Sequence, residues 1–526
     1  MLYQKGRAPM RVFLTFLFLL ANAATGLTQR SQNQSEAKSS AGHDDAAALT
    51  IYNQSFAVVR QTLPLDLKSG ANQLEITDIT SHLEPDSVIL RDLKSGRDLR
   101  ILEQNYRSDV ASQGRLLALY EGKSIEFLVP DKDGNRRLVP GKIIRSGYTP
   151  HYQAYSAYDQ QYYQAQQAYV AAGNGEPIIE IDGKLQFGLP GQPIFPALSN
   201  DTILKPTLSW LLQSDRPGNT NAEFSYVTGG MSWHADYNVV APVTGNLLDI
   251  VGWVTLDNQT GKTFSNAHIK LMAGDVNKLQ PGTGGVVSES FGMAAKADAL
   301  APPVTERSFD EYHLYTLERA TTLYDRETKQ VEFVRASGVP SQRLYVYDGV
   351  KLDQNYRGYQ MEQIRDMENF GVQSNPKIWS MVEFKNSKEN HLGLPLPKGR
   401  VRFYRRDTDG QMEFTGENLI DHTPSDETIR LYTGNVFDAV GERKRTGFNI
   451  DRRARTLDES FEIKLRNHKK EPMEIRVVEH LYRWTNWDIP KTSDPFNKLD
   501  SKTIEFRVKV PPDGEKVVTY TAHYSW

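Results

Sequence analysis

Cysteine is absent from all 526 residues. Without it the chain has no disulfide staple, so its stability must come from packed cores, and no lipidated N-terminal cysteine can tether it. Charge of one sign is also missing: 62 basic side chains face 65 acidic ones, a formal net charge of -3. That balance offers no broad basic field, which excludes nucleic acid or an anionic membrane surface as the principal partner. No apolar run approaches the ~20 residues that a transmembrane helix needs. Gly-x-Ser-x-Gly elbows, phosphate-binding loops and dinucleotide fingerprints are lacking, and Gly229-Gly230 and Gly284-Gly285 have no strand-to-helix context. The 11 histidines are scattered, with no pair at zinc-motif spacing. His234, His313 and His480, each beside aromatic or apolar neighbours, read as packed histidines. No metal or cofactor is expected.

What is present begins with Lys5, Arg7 and Arg11 ahead of the apolar run from Val12 to Leu20, followed by Ala21-Asn22-Ala23. This is the layout of a secretory signal peptide, cleaved after Ala23. The chain is therefore expected to be exported to a periplasm, an outer surface or the medium. Residues 24–48, rich in Gln, Ser, Asn, Asp and Ala, read as a disordered tether.

From Leu49 short alternating runs such as Phe56-Ala57-Val58-Val59 and Ser87-Val88-Ile89-Leu90 are separated by turn clusters at Lys68-Ser69-Gly70 and Lys94-Ser95-Gly96. That spacing predicts a small β domain over residues 49–145. An insertion at 146–176 is rich in Tyr, Gln and Ala. Within it Tyr155, Tyr158, Tyr162 and Tyr169 fall on one helical face, as a carbohydrate or partner contact, a helix packed on its own domain, or a low-complexity linker. A central β domain is expected over 177–375 and a C-terminal β-sandwich over 376–526, with a mobile loop from Gly282 to Val304.

One unit recurs three times in this region: an alternating strand ending in Asn, a polar connection, then a second alternating strand. Its copies run from Trp253 through Asn258 to Leu271, from Met381 through Asn386 to Tyr404, and from Phe461 through Asn467 to Val477. Apolar residues alternate with charged ones, so one face enters a core while the other meets water. Asn suits the strand end because it tolerates left-handed backbone and bonds neighbouring amides. The predicted fold class is all-β, with multiple antiparallel β-sandwich-like domains and a short helical or low-complexity insertion.

Chemistry is harder to find. Asp131-Lys132-Asp133-Gly134-Asn135 and Asp407-Thr408-Asp409-Gly410 resemble calcium loops, but the later ligand positions fail, and Asp-Gly hairpin turns account for both. The densest aromatic stretch runs from Tyr226 to Tyr237, followed by Gly252-Trp253. Its rings serve either as stacking faces or as sandwich core. Trp233, Tyr237 and Trp487 are the candidate binding residues, because aromatic side chains dominate recognition energy. At the C-terminus Val518, Tyr520, Ala522, Tyr524 and Trp526 share one face, a strand expected to close a sandwich rather than a membrane barrel.

Several spaced stretches resemble a known family: Ile51-Tyr52-Asn53, Tyr226 through Tyr237, Gly252-Trp253-Val254, Leu271 through Val276, Leu394 through Gly399, and Phe414-Thr415-Gly416-Glu417. The family comprises secreted bacterial proteins with a domain of unknown function, some labelled mucoidy inhibitor A. The resemblance covers most of the chain from Leu49 to Trp526. It implies an exported, β-sandwich-rich protein, supplies no catalytic residues, and points to cell-envelope or exopolysaccharide biology. Many relatives carry a long coiled coil where this chain has only the Tyr/Gln-rich stretch. The expected function is that of a non-catalytic envelope or extracellular protein binding a protein or polysaccharide partner. The alternative is a hydrolase of envelope polysaccharide or peptide with a site built from inter-strand loops.

Overall fold

The computed structural model describes residues 46–92, 96–130, 135–148, 168, 175–197, 202–274, 276–278, 304–351 and 359–526. The signal segment 1–23, the Tyr155/Tyr158/Tyr162/Tyr169 stripe and nearly all of the loop from Gly282 to Val304 lie outside them. The fold is all-β, with several separate sheets and two short helices among the described residues.

Two large sheets carry most of the chain. In the first, Ala48–Tyr52 pairs antiparallel with Phe56–Leu67 and parallel with Phe264–Ala273, and Gly218–Gly229 pairs with Phe56–Leu67. Strands from both sides of the expected boundary between N-terminal and central domains thus share one sheet. The second runs, in spatial order, through Met412–Ile420, Gly399–Arg406, Met231–Ala241, Leu247–Asn258 and Glu327–Asp348, then on into C-terminal strands. Inward-facing side chains of both sheets, among them Ile51, Val59, Tyr226, Trp233, Leu256, Leu271 and Phe333, form one core. A second core is built by C-terminal strands around Phe461, Ile463, Ile475, Phe506 and Tyr520. A five-stranded sheet holds a small core of Leu117, Ile125, Phe127, Ile143 and Ile179, and the Tyr/Gln-rich insertion falls between its adjacent strands Arg136–Arg145 and Ile178–Ile181.

The recurring unit of the sequence is a recurring unit of structure. In each copy the strand ending in Asn pairs antiparallel with a later strand: Leu247–Asn258 with Glu327–Asp348, Lys377–Lys385 with Thr428–Asp451, and Thr456–Asn467 with Gly514–Ser525. The strand after the Asn instead runs parallel to an earlier one, Ala48–Tyr52, Met231–Ala241 or Glu327–Asp348 in turn. Two strands are long enough to serve successive copies. Glu327–Asp348 pairs with Leu247–Asn258 through its first part and with Lys377–Lys385 through its last, and Thr428–Asp451 does the same between Lys377–Lys385 and Thr456–Asn467.

The three asparagines have one role. Asn258, Asn386 and Asn467 are all but fully buried. Each amide nitrogen donates to the end of its own connection and to the approach of the third strand: Asn258 Nδ2 to Lys262 O and Leu323 O, Asn386 Nδ2 to Leu394 O and Pro424 O, Asn467 Nδ2 to Glu471 O and Pro511 O. Each Oδ1 accepts a backbone amide, from Thr260, Gly393 or Lys469. Bonding to amides is as the sequence suggests. The left-handed backbone is not used, since none of the three has positive φ. Their residue type is set by the carbonyls that an amide can satisfy inside a core.

Asp407-Thr408-Asp409-Gly410 forms a hairpin turn between Gly399–Arg406 and Met412–Ile420, with Gly410 at φ +85° and its amide donating to Asp407 O. Residues 131–134 lie outside the described chain, while the strands flanking them pair antiparallel, Pro130 facing Arg136.

Candidate functional site

Alternation along Met231–Ala241 decides which side chains meet solvent. Met231, Trp233, Ala235 and Tyr237 point into the core, so Ser232, His234, Asp236 and Asn238 line the outer face. The register carries that face across neighbouring strands: His234 lies opposite Thr255 and Thr255 opposite Gln330, while Asp236 lies opposite Trp253. On the other side Arg400 stands beside Asp236, and Leu419 beside Arg400. His234, Asp236, Thr255, Gln330, Arg400 and Leu419, together with Asp257, Thr328, Lys398 and Arg402, bound a groove of about 630 Å³ on the solvent side of the sheet.

The floor of this groove is fixed by its own hydrogen bonds. Thr255 Oγ1 donates to Asp236 Oδ2 at 3.0 Å, and Gln330 Nε2 donates to Thr255 Oγ1 at 3.0 Å. Asp236 is also 3.2 Å from His234 Nε2 and 3.6 Å from Arg402 Nη1, and Arg402 Nε is 3.8 Å from Glu417. Thr328 Oγ1 donates to Asp257 Oδ1 at 2.5 Å. A half-buried Trp253 shares the face. Side chains locked in this way present hydrogen-bonding groups without paying further ordering entropy when a polar ligand arrives.

The sequence-selected residues lie elsewhere. Trp233 is 3% and Tyr237 2% exposed, so neither ring offers a binding surface, which corrects the expectation for both. Trp233 Nε1 donates to Met272 O at 3.1 Å, and Tyr237 hydroxyl donates to Pro397 O at 2.6 Å. Trp and Tyr occupy this core because each finds a carbonyl for its polar atom. Trp487 flanks the other core, half-buried, with Nε1 donating to Ser501 O at 2.8 Å and Lys498 Nζ 4.6 Å above its ring. The structure does not bring these three together. His234, read as a packed histidine, is instead 54% exposed at the groove. Its placement, with Asp236, was available in the same alternating run, one residue out of step with the aromatic positions.

A smaller cavity of about 400 Å³ is lined by Asp348, Val350, His480, Leu481, Tyr482 and Lys502. Here His480 Nε2 lies 3.0 Å from Asp348 Oδ2, and this hydrogen bond raises the histidine pKa above its ordinary value despite partial burial. A histidine whose folded pKa is raised stabilises the fold fully below its unfolded pKa of about 6.5, and that contribution is lost as pH rises through the folded value. Asp348→Asn is therefore expected to shift the urea midpoint downward at pH 6 and to converge on the wild type by pH 9. An equal shift at both pH values would show that the pair contributes no pH-dependent stability.

No group of three or more His, Asp or Glu side chains among the described residues is arranged to hold a metal ion. Neither protein-family models nor curated proteins match this chain.

Proposed function

We propose that this protein is an exported, non-catalytic component of the cell envelope or extracellular space that binds a saccharide chain across the outer face of its second large sheet. The observation carrying this reading is the pre-bonded groove floor of Asp236, Thr255, Gln330 and His234. Ring hydroxyls both donate and accept, and such a floor alternates acceptors with donors, with the half-buried Trp253 in register with Asp236 on the same face. Export is supported by the charged and apolar segments ahead of Ala23, and the resemblance to secreted envelope proteins agrees with it.

Hydrolysis fits the groove less well. Asp236 is in register with Trp253, four positions from Asp257, which sets the two carboxylate-bearing backbones about 13 Å apart along the strand direction. Paired glycosidase carboxylates stand about 5–9.5 Å apart. Both carboxylates are also tied to neighbouring hydroxyls rather than aimed together at a common point.

A glycan array probed with the labelled mature chain tests the proposal. Binding to saccharides is expected, with a loss of about tenfold or more in the His234→Ala/Gln330→Ala variant, the effect of removing two polar contacts. Both side chains are at the surface of the groove, so thermal stability should be unchanged. Retention of full affinity by this variant would remove the groove as the site, and failure to bind any saccharide would remove the function.

A further inference from the structure

We infer that the saccharide taken by the groove is acidic, and that Arg400 receives its carboxylate; this rests on the saccharide-binding reading above. The charges lining the groove are unequal in availability. Lys398, Arg400 and Arg402 stand against Asp236 and Asp257. Asp236 is occupied by Thr255, His234 and Arg402, and Arg402 is shared with Glu417. Asp257 holds the hydroxyl of Thr328. The Arg400 side chain is exposed, and its guanidinium makes no hydrogen bond or ion pair with any described residue.

The neighbours of Arg400 explain why it is left over. In register with Asp236 on one side, it loses that carboxylate to His234 and Arg402, which approach from the two flanking positions. On its other side stands Leu419, 73% exposed, which offers no polar atom and forms an apolar ledge next to the guanidinium. A planar guanidinium matches a carboxylate with two parallel hydrogen bonds, and charge-assisted bonds of this kind are about twice as strong as neutral ones. The ledge suits the C–H face of a sugar ring whose carboxylate reaches Arg400.

An acidic peptide would present the same charge but needs a different surface. Extended peptides take most of their affinity from main-chain bonds to a free sheet edge. The groove lies across the face of paired strands, where the main-chain groups of Met231–Ala241 and Leu247–Asn258 are already used within the sheet. What it offers is side-chain hydroxyl, amide, imidazole and carboxylate groups, the set that reads hydroxyls.

Calorimetric titration of the mature chain with three probes tests this: a short oligogalacturonate, the same oligomer after reduction of its carboxylates to alcohols, and a glutamate-rich peptide. The oligogalacturonate is expected to bind about tenfold or more tightly than its reduced form, the size of one charge-assisted pair. Arg400→Ala and Arg400→Gln should each erase that difference by weakening the oligogalacturonate far more than the reduced oligomer, with the melting temperature unchanged. Equal affinity for the two oligomers, or preference surviving in both Arg400 variants, would overturn the assignment of Arg400 while saccharide binding stands. Tighter binding of the peptide than of either oligomer, or no binding of any saccharide, would overturn both this inference and the function on which it rests.

Discussion

Replacing Arg483 with Ala is expected to lower stability by about 3–5 kcal/mol, the cost of stripping one partner from a buried ion pair. Arg483 is fully buried and meets Glu459 through Nη2 at 2.7 Å and Nε at 3.1 Å. Its remaining donors go to backbone carbonyls of Ile364 and Met367 from Nη1, and of Phe370 from Nη2. These carbonyls belong to the segment that contains the helix Met361–Asp366. Arg443 does the same from beside it: Nε lies 2.9 Å from both carboxylate oxygens of Glu479, and Nη1 donates to Gly371 O at 2.8 Å. Burial works against the charge of Arg443, but Glu479 outweighs it and raises the arginine pKa. Tyr520 completes the cluster by donating its hydroxyl to Glu479.

Alanine at 483 leaves Glu459, 2% exposed, with only the more distant Arg445 at 3.5 Å among the described residues, and leaves three carbonyls without their donor. Arg483→Lys should recover little, because one ammonium cannot span a carboxylate and three carbonyls in a plane. The double variant Arg483→Met/Glu459→Leu should be milder than Arg483→Ala, since it leaves no buried charge unpaired. Urea denaturation of the three variants checks this order. A loss below about 1 kcal/mol for Arg483→Ala would mean that water reaches Glu459 and that the cluster is not sealed.

Much of the architecture was legible in the alternation of side chains. Phe461, Ile463 and Leu465 are buried and separated by charged residues, as the pattern from Phe461 to Asn467 requires, and from Met231 to Tyr237 buried residues likewise alternate with the polar Ser232, His234 and Asp236. The triplicated unit was visible because Asn258, Asn386 and Asn467 each end such a strand. Their burial was not, because one of the carbonyls that each satisfies comes from a segment tens of residues away, at Leu323, Pro424 or Pro511. The sharing of one sheet by N-terminal and central strands was hidden for a related reason: Ala48–Tyr52 takes Phe264–Ala273 as its parallel neighbour, a pairing that no local pattern announces. The groove was missed because ring size was used as the guide to binding, whereas period-two alternation puts the large rings Trp233 and Tyr237 inward and the small polar neighbours His234 and Asp236 outward.

Deleting Tyr524 to Trp526 is expected to cost about 4 kcal/mol or more, since truncation of a single buried aromatic costs about 3–5 kcal/mol. The last strand, Gly514–Ser525, lies between Thr456–Asn467 and Trp487–Thr492 rather than at a sheet edge. Val518, Tyr520, Ala522 and Tyr524 face the second core, and Tyr524 is 1% exposed. Trp526 is half-buried, with its ring 6.4 Å from that of Trp484 and the Arg365 guanidinium 4.3 Å from its centre. Besides the pairing of Tyr524 and Ser525 with the neighbouring strands, the deletion removes the bonds from the Ser525 amide to Asn486 O and from the Trp526 amide to Arg455 O. On the opposite, polar face Ser460 bonds Thr521 at 2.8 Å and His523 bonds Asp458 at 2.7 Å. Removing Trp526 alone should therefore cost less than the full deletion, because Tyr524 keeps the core closed, and Tyr524→Phe should cost little, its ring being retained. Thermal unfolding of the three variants separates these outcomes. A full deletion whose unfolding free energy stays within about 1 kcal/mol of the wild type would show that the terminal strand is dispensable to the second core.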